Sequence, residues 1–221
     1  MVDVGRNPAL LDLTDNVIVV WESNTGIQAK LMAPNGQKKS PTFDIFTTQD
    51  NVSNVKLTKS ADQNILITWE SVDKIQGIFI DEFGNKKSNI VEFLSEFEIS
   101  QYSMVASGSG TFKIAFYNID EQAICVQEVD SNGQAIGELY VINNSTSNSY
   151  FDWVQSSDQL KLIWHDGSNS GNIYGQTFNN GEASSEQLIA TMGHKLWEIT
   201  SEELSENSTA IASSRWGESN N

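Results

Sequence analysis

Among 221 residues there is one cysteine, Cys125, so no disulfide can form within the chain. Its setting, Ile124-Cys125-Val126 in a strand-like run, reads as a small buried hydrophobe and not as a nucleophile. Histidine is nearly as scarce: His165 and His194 are the only two, and no cysteine pair or third histidine supports a zinc cluster. Basic residues are outnumbered, 13 Lys plus Arg against 29 Asp plus Glu, for a formal net charge of -16. The acids are scattered over the whole length, so the surface repels phosphate backbones and anionic lipid. Nucleic acid and acidic membrane are therefore poor partners, and cations or neutral ligands fit better. No apolar run approaches the length that spans a bilayer, and no basic and apolar leader stands at the front. Membrane insertion is not expected, and an export signal, if the protein has one, lies outside these residues. Neither a Gly-x-Ser-x-Gly elbow nor a phosphate loop occurs, Ser107-Gly108-Ser109-Gly110 reading as a turn between strands. Nucleophilic catalysis and cofactor chemistry have no support, and no cofactor is expected.

What the chain does have is a beat. Trp21, Trp69, Phe116, Trp164 and Trp216 follow one another at steps of 48, 47, 48 and 52, and Gly36, Gly84, Gly133 and Gly181 at 48, 49 and 48. Two markers in phase imply duplicated units, and a period of this size belongs to propellers or arrays. The repeats run 8–50, 51–98, 99–147, 148–194 and, as a half copy, 195–221, within a single repeat domain over 1–221. Residues 51–98 show the unit as four short strands: Asn54 to Thr58, Ile65 to Trp69, Ile75 to Ile80 and Ile90 to Leu94. β-branched and aromatic runs separated by turn clusters are strand signals, and no segment sustains a helical period. Each glycine closes a hairpin where a left-handed backbone is needed. The expected fold is all-β, a β-propeller-like array of four-stranded blades with about 4.5 repeats. It is either a five-bladed ring whose last blade is short or a fragment of a longer array.

In a propeller the loops between second and third strands gather on one face. Here they cover Glu22 to Gly26, Glu70 to Lys74, Asn118 to Gln122, His165 to Asn172 and Gly217 to Asn221. Acid, amide and hydroxyl groups beside a recurring aromatic suit carbohydrate, whose hydroxyls bond polar groups. The candidate ligand residues are Glu22, Asn24, Glu70, Asp73, Asn118, Asp120, His165, Asp166 and Asn169. The aromatics themselves are expected to pack between blades. A second set, Asp12, Lys56, Ser103, Asp152 and Glu198, falls at matching first-strand positions and would share one face. Its carboxylates, Asp12, Asp152 and Glu198, are the candidates for acid and base work on a glycoside. The expectation is nevertheless a polar, water-filled channel lining, which any wet channel requires whether or not it is catalytic. Asp166 to Asn172 has oxygen ligands at alternate positions like a calcium loop, but Thr177 stands where a bidentate Glu belongs.

Val19-Val20-Trp21-Glu22-Ser23, Ile67-Thr68-Trp69-Glu70-Ser71 and Leu162-Ile163-Trp164-His165-Asp166, each followed by a strand and an Asx-rich glycine turn, resemble the tandem Trp repeats of large secreted bacterial surface and RTX-type proteins. The likeness covers 8–221, copy three departs from it with Phe116-Tyr117-Asn118, and the calcium-binding glycine-aspartate nonapeptides are absent. The resemblance implies an extracellular or cell-surface protein of adhesion or scaffolding, with no catalytic residues to carry over. The expected function is a non-enzymatic, lectin-like binding module for surface carbohydrate or a cell-surface protein. The alternatives are a glycoside hydrolase on the same scaffold or a structural spacer. The half blade is expected to leave an open strand edge that promotes self-association.

Overall fold

The computed structural model describes residues 5–72, 74–142, 150–155, 159–167, 170–179 and 182–193, and the backbone of 198–205 and 208–214. The described residues are all-β. Sheet one holds β1 (Arg6–Asp12), β2 (Val17–Ser23), β3 (Gly26–Met32) and β4 (Phe43–Thr47), and sheet two β5 (Ser53–Lys59), β6 (Ile65–Ser71), β7 (Lys74–Ile80) and β8 (Val91–Phe93). Sheet three is β9 (Ile99–Ala106), β10 (Thr111–Asn118), β11 (Ala123–Asp130) and β12 (Ala135–Val141). Sheet four is β13 (Phe151–Gln155), β14 (Leu160–His165) and β15 (Asn172–Asn179), with an outer strand in two pieces, β16 (Glu182–Ala183) and β17 (Gln187–Thr191), both paired to β15. A fifth sheet has two strands, β18 (Glu198–Ser205) and β19 (Ser208–Ser214). Strands follow sequence order and pair antiparallel, as the repeat predicts.

The chain falls into two compact units, 1–98 with 106–112 and 129–135, and 99–105 with 113–128 and 136–221. In the first, Ile18, Ile27, Ile45, Ile65, Ile67 and Trp69 belong to one buried cluster. In the second, Ile124, Phe151, Trp153, Leu162, Trp164 and Phe178 form another. Trp69, Phe116 and Trp164 are fully buried, and Trp69 stacks on Phe46 of the preceding sheet with centroids 5.0 Å apart. The recurring aromatic is thus packing material. Trp21 is covered from its own chain: a Cβ on Gly5 would lie 1.9 Å from the indole Cδ1.

The turn between third and fourth strands repeats bond for bond. Gly36, Gly84 and Gly133 have φ of 83°, 86° and 80°, and their N–H groups donate to Ala33, Asp81 and Asp130 carbonyls at 2.8, 3.0 and 3.0 Å. From the second repeat on, the glycine has another duty. A Cβ on Gly84 would meet the Phe43 ring at 2.6 Å, and one on Gly133 the Glu92 carbonyl at 2.3 Å, because each turn lies on the outer strand of the sheet before it. Gly36 has no preceding sheet and no neighbour within 4 Å.

A serine follows the turn in phase with it. The hydroxyls of Ser40, Ser88 and Ser184 accept the N–H of Leu31, Phe79 and Thr177 at 2.9, 3.0 and 3.1 Å and donate to the next carbonyl, that of Pro41, Asn89 and Ser185. The side chain replaces a ladder bond where the outer strand breaks. Sheet three has Gly137 at that place, four residues past its turn glycine, and there β12 runs unbroken from Ala135.

Candidate functional site

The loops expected between second and third strands are shorter than the sequence implied. β2 and β3 stay paired to Ser23 and Gly26, leaving Asn24 and Thr25 as the exposed turn, and β6 and β7 stay paired to Ser71 and Lys74. Glu22 and Glu70 are therefore strand residues, each one position past the tryptophan. Successive side chains point to opposite faces of a sheet, so burial of the indole on one face puts the carboxylate on the other.

Both carboxylates are held by the same device. The first strand carries a β-bulge, between Arg6 and Ala9 in β1 and between Ser53 and Lys56 in β5, and the bulged residues Asn7 and Asn54 have φ of 48° and 55°. Asparagine tolerates that left-handed conformation better than most side chains. Asn7 Nδ2 donates to both oxygens of Glu22 at 3.0 and 3.1 Å, and Asn54 Nδ2 to Glu70 Oε1 at 2.9 Å. Ser53 Oγ adds a bond to Glu70 Oε2 at 3.4 Å. Glu22 is only 2% exposed. Burial pushes the Glu70 carboxyl above its ordinary value; bonds from Asn54 and Ser53 and the charge of Lys56 pull the other way, and the Glu22 charge adds to the rise. Glu22, Glu70 and Lys56 thus lie within electrostatic reach in the first unit.

In the second unit the equivalent of Glu22 is His165, fully buried. The equivalent of the bulge asparagine is Tyr150, whose ring stacks on the imidazole at 5.4 Å and whose carbonyl accepts the His165 N–H at 3.1 Å. Gly167 N–H donates to Nδ1 at 2.9 Å, which places the proton of the neutral ring on Nε2. Asp166 accepts from Asn172 Nδ2 at 2.9 Å, and Thr191 Oγ1 donates to Asn172 Oδ1 at 2.9 Å. The segment considered as a calcium loop is thus closed at its ends by protein groups. Asn118 is buried and caps the next turn by accepting the Asp120 N–H at 3.0 Å, while Asp120 is exposed. Asp73 and Asn169 lie outside the described residues. Among the described residues no three His, Cys, Asp or Glu side chains gather to hold a metal ion, and no helix is long and apolar enough to cross a membrane.

The first-strand polar set is brought together in part. Lys56 lies opposite Thr68 and Asp152 opposite Ile163, each the residue before the aromatic. Ser103 Oγ donates to Asp152 Oδ1 at 3.0 Å, and Trp153 Nε1 to the Ser103 carbonyl at 3.2 Å. Asp12 does not share this register. It faces Val17, and Ala9, opposite Val20, takes the place of Lys56 and Asp152. The flanking leucines that aligned Asp12 in sequence lie three residues too far along: Ala9 follows Asn7 as Lys56 follows Asn54, and the bulges of β1 and β5 stand at the same place. Glu198 lies in β18 opposite Ser214, and its side chain is outside the described residues. Cys125 is buried, and burial first and then the Glu121 charge push its thiol up to about 11, far from thiolate reactivity.

Asn7, Asn54 and Tyr150 escaped the sequence reading. The signal that marks them is position: each stands two residues before Ala9, Lys56 or Asp152 at the entry to a first strand.

No family model and no curated protein matches the chain. Solved structures do. The fold is similar to that of an exo-β-1,3-galactanase from Phanerochaete chrysosporium with β-1,3-galactotriose, with a TM-score of 0.58 at 11% identity over 87% of this chain and 53% of that one. Aleuria aurantia lectin in complex with α-methyl-L-fucoside gives 0.55 at 13% over 89% and 72%. An α-L-arabinofuranosidase from Clostridium thermocellum gives 0.52 at 10% over 86% and 74%. These are propeller-type folds, and this chain is a propeller-like array of four-stranded sheets. It spans about half the length of the galactanase.

Proposed function

We propose that the protein is a non-enzymatic binding module for neutral carbohydrate, acting outside the cell in adhesion. The observation that carries this reading is the half-buried amide and carboxylate pair of Asn54 and Glu70, a device that recurs, with its carboxylate buried, as Asn7 with Glu22. A sugar hydroxyl needs an acceptor and a donor at fixed positions, and a bulge that locks both supplies them without ordering cost on binding. Carboxylates held mainly by amides also keep acceptor capacity that a bidentate arginine would consume. The galactose- and fucose-bound relatives in fold support the ligand class.

The test is an array of neutral oligosaccharides, followed by calorimetry and a product assay on each hit. Asn54→Gly keeps the left-handed backbone and deletes the amide, and it is expected to weaken binding about tenfold. No neutral glycan bound above background, or unchanged affinity in that variant, would overturn the reading. Release of a shortened sugar would replace the lectin with a glycosidase.

A further inference from the structure

The turns between third and fourth strands share a backbone but differ in one side chain. Asp81 and Asp130 stand three residues before the turn glycine in sheets two and three, whereas sheet one has Ala33 there. Each aspartate collects two main-chain donors on Oδ1: the N–H of Phe83 and Asn85 reach Asp81 at 2.9 Å each, and those of Asn132 and Gln134 reach Asp130 at 2.8 and 2.9 Å. Ala33 offers no side-chain oxygen. The N–H of Gln37, which matches Asn85 and Gln134, therefore turns to the side chain of Asn35 and donates to its Oδ1 at 3.0 Å.

Asn35 stands directly before Gly36, and Asn132 directly before Gly133; sheet two has Phe83 at that position, and Asn180-Gly181 lies outside the described residues. An asparagine followed by glycine is open to attack by the glycine's backbone nitrogen, because no side chain hinders the approach. The nitrogen bonds to the side-chain carbonyl carbon, the bond from that carbon to Nδ2 breaks, and the glycine N–H proton leaves with the amide as ammonia. Water then opens the cyclic succinimide at either carbonyl, giving isoaspartate or aspartate and an added negative charge.

Negative charge grows on Oδ1 as the nitrogen adds, and a fixed N–H donor there lowers the barrier as an oxyanion hole does. Gln37 N–H is such a donor at Asn35. At Asn132 the matching N–H is committed to Asp130, and the Asp130 carboxylate accepts from Nδ2 at 3.3 Å, setting its own negative charge beside the amide. Gly133 also rests on the Glu92 carbonyl, which its turn must leave to react. Two factors do not separate the sites: both asparagines are exposed, and both glycines must release an N–H bond, to the Ala33 or the Asp130 carbonyl.

From this contrast we infer that Asn35-Gly36 is a self-modification site of the folded protein, converting to isoaspartate and aspartate while Asn132-Gly133 resists. Isoaspartate lengthens the backbone of the turn by a methylene. It thereby displaces the bonds of Ala33 N–H to the Gln37 carbonyl at 2.7 Å and of Gly36 N–H to the Ala33 carbonyl at 2.8 Å, and loosens the link from β3 to β4.

Incubation of the folded whole chain at neutral pH, with peptide mapping and isoaspartate detection at intervals, tests this. Asn35 is expected to convert about fivefold faster than Asn132, the worth of one hydrogen bond made in the transition state. Ala33→Asp restores the acceptor of the other turns and should slow Asn35 by about fivefold, and unfolding in denaturant should bring the two wild-type rates together. Equal rates in the folded chain, a faster Asn132, the same ratio persisting in denaturant, or an Asn35 rate that a folded Ala33→Asp chain leaves unchanged would overturn the proposal. The comparison of the two asparagines within the wild-type chain decides the matter even if Ala33→Asp disturbs the turn.

Discussion

Glu70 sits where burial and hydrogen bonding pull its proton in opposite directions, and burial prevails. A carboxyl whose folded pKa lies above its ordinary value of 4.5 binds its proton more tightly in the folded chain. The stability it contributes is complete below that ordinary value and is lost as pH rises through the raised one. Glu70→Gln removes the penalty, so its melting temperature should exceed wild type by about 1–2 °C at pH 7 and equal it near pH 4. An unchanged difference across that range, read by thermal melts, would put the raised proton affinity elsewhere. Asp130 behaves oppositely. The N–H of Gln134, with help from Asn132 and against burial, holds its carboxyl below the ordinary range, so its support of the turn fades only in acid.

Among the strands and turns, the glycine beat is where sequence and structure agree most closely, and the structure adds why two of the glycines are harder to replace. Gly36→Ala meets only the cost of a left-handed alanine, about 1 kcal/mol. Gly133→Ala adds a collision with the Glu92 carbonyl, and should cost about 2–3 kcal/mol or more in denaturant unfolding. Equal losses would mean that the turn does not rest on the sheet before it. The strands were legible because their apolar periodicity survives in every copy, Ile65 to Ile80 most plainly. The bulges at Asn7 and Asn54 were not, since an asparagine before a strand reads as turn or strand alike and only backbone torsion distinguishes them. The misplacement of Asp12 has another source, the apolar flanks Leu11 and Leu13, which match those of Lys56 although Ala9 holds the equivalent register.

The whole molecule carries its charge of -16 without a compensating basic patch in the sequence, and self-repulsion opposes the compact state. Its melting temperature should therefore rise by a few degrees between about 10 mM and 150 mM salt, as the screening length falls from about 30 to 8 Å. A flat salt response would show that the acids lie too far apart to repel. At this scale the propeller-like array was readable from two periodic markers, whereas the candidate site was readable only by residue type. Glu22 and Glu70 were singled out as loop acids, yet what orders them is an amide from another strand, a pairing that no local pattern announces.

The serine splice at Ser40, Ser88 and Ser184 bears on solubility. Ending the outer strand early leaves rim segments of 5, 3, 2 and 5 residues in β4, β8, β16 and β17, too short a row of main-chain donors to seed fibril growth. Among the described outer strands of sheets one to four, β12 alone presents a long rim, and there Gly137, with φ of 71°, and Glu138 twist and charge it against stacking. Restoring an uninterrupted strand at Ser40, Ser88 or Ser184 would lengthen the row of main-chain donors that each rim offers to a neighbouring chain.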